Sequence, residues 1–239
     1  MIRYDGRMCS NYTPARREVL PVHFGIEAPA ADWKEEAFPG YLAPIIRRAE
    51  GGGGELESLA ACFGMLPHWA DLKLARHTYN ARSETVASKP SFRHAAAKRQ
   101  RCIVPAESLF EPCYESGRAV RWRITSDDDA PMAIAGLWEW RPNGGLGDQP
   151  LVSFTMLTIN ADMHPLMQRF HRPEDEKRMV ALLRRDQYRA WLDAGSADMA
   201  AFLQPWPADK MKAEAAPRAA SARPAAVKPK LVPKTLWDD

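Results

Sequence analysis

Five strand-like stretches succeed one another along this chain. They are LAACFGML at 59–66, RCIVPAESLFEPCYE at 101–115, VRWRIT at 120–125, MAIAGLWEW at 132–140 and LVSFTMLTI at 151–159. Each is rich in β-branched or aromatic residues, or alternates in polarity. They follow without regular intervening helices, which predicts an α+β fold with a largely antiparallel sheet core and flanking helices, not a doubly wound parallel sheet. Thr13-Pro14 before ARREVLPVHF reads as an N-cap and first-turn proline opening a short helix. SFRHAAAKR and RRDQYRAWLDAG read as two more helices, the second closed by Gly195. The run GGGG at 51–54 suits a hairpin or loop tip.

Globular structure is expected to end near Trp206, giving a leader at 1–7, a domain at 8–206 and a tail at 207–239. The stretch AEAAPRAASARPAAVKPKLVPK has almost no large apolar residues with which to offset its ordering entropy, and is expected to be disordered. Residues 208–235 carry seven basic side chains against Asp209 and Glu214, so the overall charge of +3 leaves the remainder slightly negative. A nucleic-acid surface must then be a local patch. No apolar run reaches the roughly 18 residues of a membrane span, and no secretory signal opens the chain. Cys9, Cys62, Cys102 and Cys113 have no CxxC spacing, which suits free thiols in a reducing cytoplasm. There is no GxGxxG, no Walker loop and no metal-ligand cluster, so no cofactor or metal is expected.

The best candidate nucleophile is Cys9, directly after Met8 in MIRYDGRMCSNY. A chain starting at Met8 and losing that methionine would expose Cys9 as its amino terminus. Its amine, with a pKa of roughly 7.7–8.0, and its thiol, near about 8.5, would then both be partly deprotonated at neutral pH. Such a pair condenses with an aldehyde to an imine and closes a five-membered thiazolidine. The other three cysteines sit in apolar runs where burial is the default. In YNARSET, Asn80, Arg82 and Glu84 alternate and would share one strand face, an amide beside a guanidinium able to grip phosphate. An exposed edge with a surface ion pair accounts for that row equally well. Glu111, between Phe110 and Pro112, is placed for a raised pKa and a general-acid role. His171, flanked by Phe170, Arg172 and Pro173, reads as a loop histidine near basic charge.

Taken in order, Met8-Cys9, YNARSET, SLFEP and RFHRPEDEKRMVALL resemble the SRAP-domain family, the abasic-site-processing or SOS response-associated peptidases, from Met8 to about Trp206. The resemblance implies a partner, single-stranded DNA containing abasic sites, bound by a monomeric, cytoplasmic protein that is nucleoid-associated when on DNA. It implies covalent capture of the ring-opened sugar aldehyde by Cys9 as a thiazolidine, a DNA–protein crosslink that shields the lesion, with lyase-type chemistry and a peptidase activity. Glu111 would handle protons, Asn80 and His171 would orient the opened sugar, and Arg82 would hold a flanking phosphate. Pro44 and Trp69 would stack against or wedge apart bases, Thr158 would line the site, and Arg172 would add a DNA contact.

This chain departs from the family pattern in three places. Asn11 stands where many members have arginine, which removes a charge from one DNA contact. RMV at 178–180 replaces RMP, after an acidic and basic insertion. The leader MIRYDGR would leave Cys9 an amide nitrogen, so a start at Met8 or removal of the leader, by self-processing for instance, is expected. The alternative is a cysteine peptidase or amidohydrolase with Cys9, His171 and Asn80 as nucleophile, base and orienting group.

Overall fold

The computed structural model describes residues 10–51, 54–144 and 149–218. Met8, Cys9, the leader and residues 219–239 of the expected tail lie outside the described residues. Among the described residues ten strands are formed: β1 (Tyr12–Pro14), β2 (Leu42–Arg48), β3 (Leu56–Phe63), β4 (Asn80–Arg82), β5 (Arg101–Cys113), β6 (Val120–Ser126), β7 (Met132–Arg141), β8 (Leu151–Asn160), β9 (Arg178–Val180) and β10 (Met211–Ala215). Two short α-helices, α1 (Arg93–Ala97) and α2 (Tyr188–Asp193), flank them. All five expected strand stretches are strands, and the α+β fold with a mainly antiparallel sheet is present. Among the described residues no helix is long and apolar enough to cross a membrane.

The sheet closes on itself. β5 pairs β2, β2 pairs β3, β3 pairs β8, β8 pairs β7 and β7 returns to β5. Four of these contacts are antiparallel; β3 with β8 is parallel, as is β4 with β8. Closure removes the free edges that an open sheet exposes. Inside, Phe63 stacks on Phe154 at 5.2 Å and meets Tyr12 and Tyr79 edge-on at 5.2 and 5.8 Å. Gly136 of β7 permits tight approach in the wall, since a Cβ there would stand 2.8 Å from the Thr155 carbonyl oxygen and 2.9 Å from Cys102 Sγ. Cys62, Cys102 and Cys113 are buried free thiols. Burial pushes Cys62 up to about 12 and raises Cys102 as well, so neither is a thiolate at neutral pH.

β5 and β8 outrun the barrel at the same end. β5 pairs β7 over Arg101–Ala106, then β6 over Leu109–Cys113. On its other edge β2 gives way to β1, with Tyr12 opposite Leu109 and a register shift at Pro14 opposite Ala106. β8 continues past β7 to pair β4 and β9 around Thr158. The 161–177 segment leaves the end of β8 and reaches β5 before returning as β9.

Three expectations are corrected. Thr13 and Pro14 are strand residues, not the start of a helix. The extended conformation a proline favours in its predecessor suits a strand edge too, and Ser108 Oγ lies 2.9 Å from Thr13 Oγ1. Only Leu20–Phe24 is helical there, as one wide turn closed by Gly25 at φ +69°. The C-cap of α2 is Ala194, extended at φ −59° and ψ 132°, so Gly195 is not needed in a left-handed cap. The fold also passes Trp206. β10 adds to the edge of β6 in register from Met211↔Ser126 to Ala215↔Trp122, and Met211 is buried. Its Lys212 and Glu214 face outward between small or apolar residues, so low overall hydrophobicity conceals a half-buried strand. Ending the chain after Trp206 should lower the melting temperature by about 5–10 °C relative to a chain ending after Arg218. It should also expose β6 to self-association. Equal melting curves and equal sedimentation would show β10 to be dispensable.

Candidate active site

Glu111 lies on the overhanging part of β5, opposite Trp122 of β6, and is only 3% exposed. The returning 161–177 segment supplies its neighbour. Phe170 forms a bridge to Cys113, and the His171 N–H donates to the Pro112 carbonyl at 2.8 Å. His171 sits at φ +63°, a left-handed conformation that is costly for a residue with a Cβ. Bonded backbone on one side and buried packing on the other hold it there. Its Nε2 comes within 3.5 Å of Glu111 Oε2. That is longer than a hydrogen bond, and among the described residues the buried Nε2 makes none.

The pair is not an ion pair at neutral pH. Burial pulls the His171 imidazole down to about 4, helped by nearby Lys177 and opposed by Asp175, so the ring is neutral. A neutral imidazole offers both a donor and an acceptor nitrogen. Trp122 packs edge-on to Phe170 at 6.1 Å, and the Arg169 guanidinium caps Trp122 while pairing with Glu115. This shields the pair on the β6 side.

A second group of side chains surrounds the end of β8. Arg178, 1% exposed, makes a bidentate pair with Glu84, both nitrogens at 2.8 Å, and donates to the Thr158 carbonyl at 2.9 Å. That pairing holds Glu84 down to about 2. Arg82 Nη1 lies 2.5 Å from Glu176 Oε2, and Glu176 also bonds Arg178. Thr158 is fully buried, its hydroxyl 3.3 Å from Arg178 Nε and 3.4 Å from the Ala81 carbonyl oxygen. Asn80 is half-buried on β4, beside Met156, and engaged in contacts.

The structure thus brings Glu111 and His171 into contact and places Arg82 and Thr158 in one neighbouring cluster. Asn11 is fully buried and its Nδ2 donates to Glu36 at 3.0 Å. Glu36 is also held by Arg121 and Arg218 at 2.6 and 2.8 Å. Pro44 is buried in β2 opposite Ala60. Trp69 stands 56% exposed in the turn after β3, where Arg141 donates to the Ala70 carbonyl. Arg172 is exposed, its charged form favoured by the Tyr114 hydroxyl. Reading the sequence missed Arg178 and Glu176 as site residues. Arg178 stands between Lys177 and Met179 in a charge-dense run that gives no sign of burial.

Three comparisons bear on this arrangement. The family model described as SOS response associated peptidase (SRAP) matches residues 7–220. A solved crystal structure of a Bordetella bronchiseptica protein superposes with a TM-score of 0.78 at 39% identity, covering 87% of this chain and 99% of that one. The abasic site processing protein YoqW of Bacillus subtilis is 33% identical over 157 residues, 63% of this chain and 65% of the relative. The abasic site processing protein HMCES of Xenopus tropicalis is 29% identical, over 56% of this chain and 44% of its own length. The chain therefore spans less than two thirds of the length of these curated relatives.

Burial of a neutral His171 has a measurable consequence. The unfolded histidine takes up a proton near 6.5, the folded one near 4. The contribution to stability is complete above pH 6.5 and is lost progressively as the pH falls to 4, by about 3 kcal/mol over the whole window. In urea unfolding, His171→Gln should lose less stability than the parent between pH 6.5 and 4. Parallel pH profiles for the two would show that the histidine is not held neutral.

Proposed function

This chain belongs to the SRAP family, and we propose that it processes abasic sites in single-stranded DNA by capturing them covalently through Cys9. The observation that carries this reading is the buried Glu111–His171 pair at the end of β5. β1 runs antiparallel to β5 with Tyr12 opposite Leu109, so Ser10 and Asn11 precede it on the Glu111 side. Cys9 is the next residue toward the amino terminus. The family match begins at residue 7, beside Met8.

The chemistry requires that Cys9 be terminal. Its α-amine attacks the C1′ aldehyde of the ring-opened sugar to give a carbinolamine, which loses its hydroxyl as water to leave an imine. The thiolate then adds to the imine carbon. A carbon–sulfur bond forms, the nitrogen takes a proton, and a thiazolidine results. One water leaves and nothing is oxidised or reduced. The carbinolamine hydroxyl needs a proton donor and the amine needs an acceptor, the two roles of the Glu111 carboxyl acting in alternate forms. A neutral His171 suits the relay, since it neither neutralises the carboxylate by ion pairing nor competes as a cation. Asn80 would hold the opened sugar by its amide, Thr158 would line the site, and Arg82 and Arg172 would contact the backbone. The exposed Trp69 ring offers a stacking face. Pro44 and Asn11 are both buried, so neither would present an open face to a base or phosphate.

The family description includes a peptidase, which keeps one second reading in view: Cys9 as a thiol nucleophile with His171 as base and Asn80 as orienting group. The amine separates the two.

The test uses protein beginning at Cys9 and a single-stranded oligonucleotide with one abasic site, resolved on a denaturing gel. A retarded covalent band is expected. Cys9→Ala and N-terminal acetylation should abolish it, as should retention of Met1–Arg7. Glu111→Gln should slow its formation by about 10²-fold or more. A band of undiminished intensity from the acetylated protein would overturn thiazolidine capture.

A further inference from the structure

Arg82 is the residue to which the proposed function gives a DNA phosphate, yet its guanidinium already holds an anion. Glu176 Oε2 lies 2.5 Å from Arg82 Nη1. The other oxygen, Oε1, accepts from Arg178 Nη1 at 2.6 Å and from Asn160 Nδ2 at 3.2 Å. One carboxylate therefore receives N–H donors from two guanidinium groups and an amide. A phosphodiester oxygen pair would draw on the same donors.

The two arginines are held differently. Arg178 is buried and keeps a bidentate carboxylate from Glu84 and the Thr158 carbonyl whatever Glu176 does. The Arg82 side chain is 54% exposed, and Glu176 is its ion-pair partner among the described residues. Arg82, Arg178, Glu84 and Glu176 sum to zero charge, so the closed cluster has no excess positive charge with which to attract a strand. Glu176 lies in a loop pinned just after it: the Ala161 N–H donates to the Lys177 carbonyl at 2.7 Å, and the Lys177 N–H to Asp162 Oδ1 at 2.7 Å. The loop stays in place while the carboxylate, on a side chain with free rotors, turns away.

We infer that Glu176 is an internal stand-in for phosphate: it fills the anion seat of Arg82, and the backbone of single-stranded DNA binds there by displacing it. This rests on the reading that Arg82 contacts a phosphate. The exchange swaps one hydrogen-bonded anion for another and breaks no covalent bond. A strand anchored elsewhere on the protein supplies its phosphate at high effective concentration, whereas a free small anion does not. Glu176 thereby raises the threshold for binding and favours strands that engage the rest of the site.

The test measures equilibrium binding of an unmodified fluorescent single-stranded oligonucleotide, which keeps crosslinking out of the readout. It compares the full chain with Glu176→Gln, Arg82→Ala and the double variant over a range of salt. Glu176→Gln should bind about 2- to 5-fold tighter, the release expected from an exposed ion pair. Arg82→Ala should bind more weakly and with a shallower salt dependence, by about one single-strand phosphate contact. On the Arg82→Ala background the gain from Glu176→Gln should vanish. Glu176→Ala is the second variant and should show the same gain, with thermal unfolding confirming that both are folded. If Arg82→Ala weakens binding while both Glu176 variants match the parent, displacement is overturned and the phosphate contact stands. A gain that persists without Arg82 would also overturn it, by showing a bulk charge effect. Unchanged binding by Arg82→Ala would overturn the phosphate contact and the inference together.

Discussion

β5 continues past the point where the barrel closes, and the candidate site is built on that overhang. Over Arg101–Ala106 the strand is barrel wall, paired with β7 and β2. Over Leu109–Cys113 it is a platform, paired with β6 along one edge, while the other edge meets β1 at Leu109 and the Phe170–His171 segment at Pro112 and Cys113. The β6 ladder on one edge, and the His171 N–H donating to the Pro112 carbonyl on the other, satisfy main-chain groups beside Glu111 where its carboxyl is buried. The chain entering from β1 and the excursion bearing His171 both have to cross this platform.

The same barrel end holds two electrostatic regimes side by side. At Glu111 and His171 the governing effect is removal from water, which drives the imidazole to its neutral form. Where the excursion returns as β9, at Arg82, Arg178, Glu84 and Glu176, the governing effect is pairing, with each charge facing an opposite one. The first arrangement suits chemistry on a neutral carbonyl, the second suits holding an anion. The stretch of chain from His171 to Arg178 runs from one to the other.

Much of this was legible in the chain beforehand. The five strand stretches are readable because each alternates or concentrates β-branched and aromatic residues over six or more positions. Thr13-Pro14 was misread because a capping threonine and a proline are compatible both with a helix start and with a bulged edge strand, and only the partner Ser108, 95 residues away, decides between them. β10 is hidden because its alternation, MKAEA, is carried by small residues and stands at the start of a segment rich in alanine, proline and basic residues. For Arg82 the local sequence allows two readings, phosphate grip or surface ion pair, and the structure contains an ion pair with Glu176. Arg178 was passed over because burial of an arginine leaves no local mark. It is set by Glu84, 94 residues earlier, closing over it.

The sequence by itself determined the mixed fold, the antiparallel strands, the family and the residue types available for aldehyde and phosphate chemistry, because these depend on local pattern and short motifs. Only the tertiary structure decided that the strands close into a ring, that Glu111 and His171 meet across 60 residues of chain, and that Arg82 already holds a carboxylate. Each of those depends on registers and desolvation created when distant segments pack together, and no window of neighbouring residues contains that information.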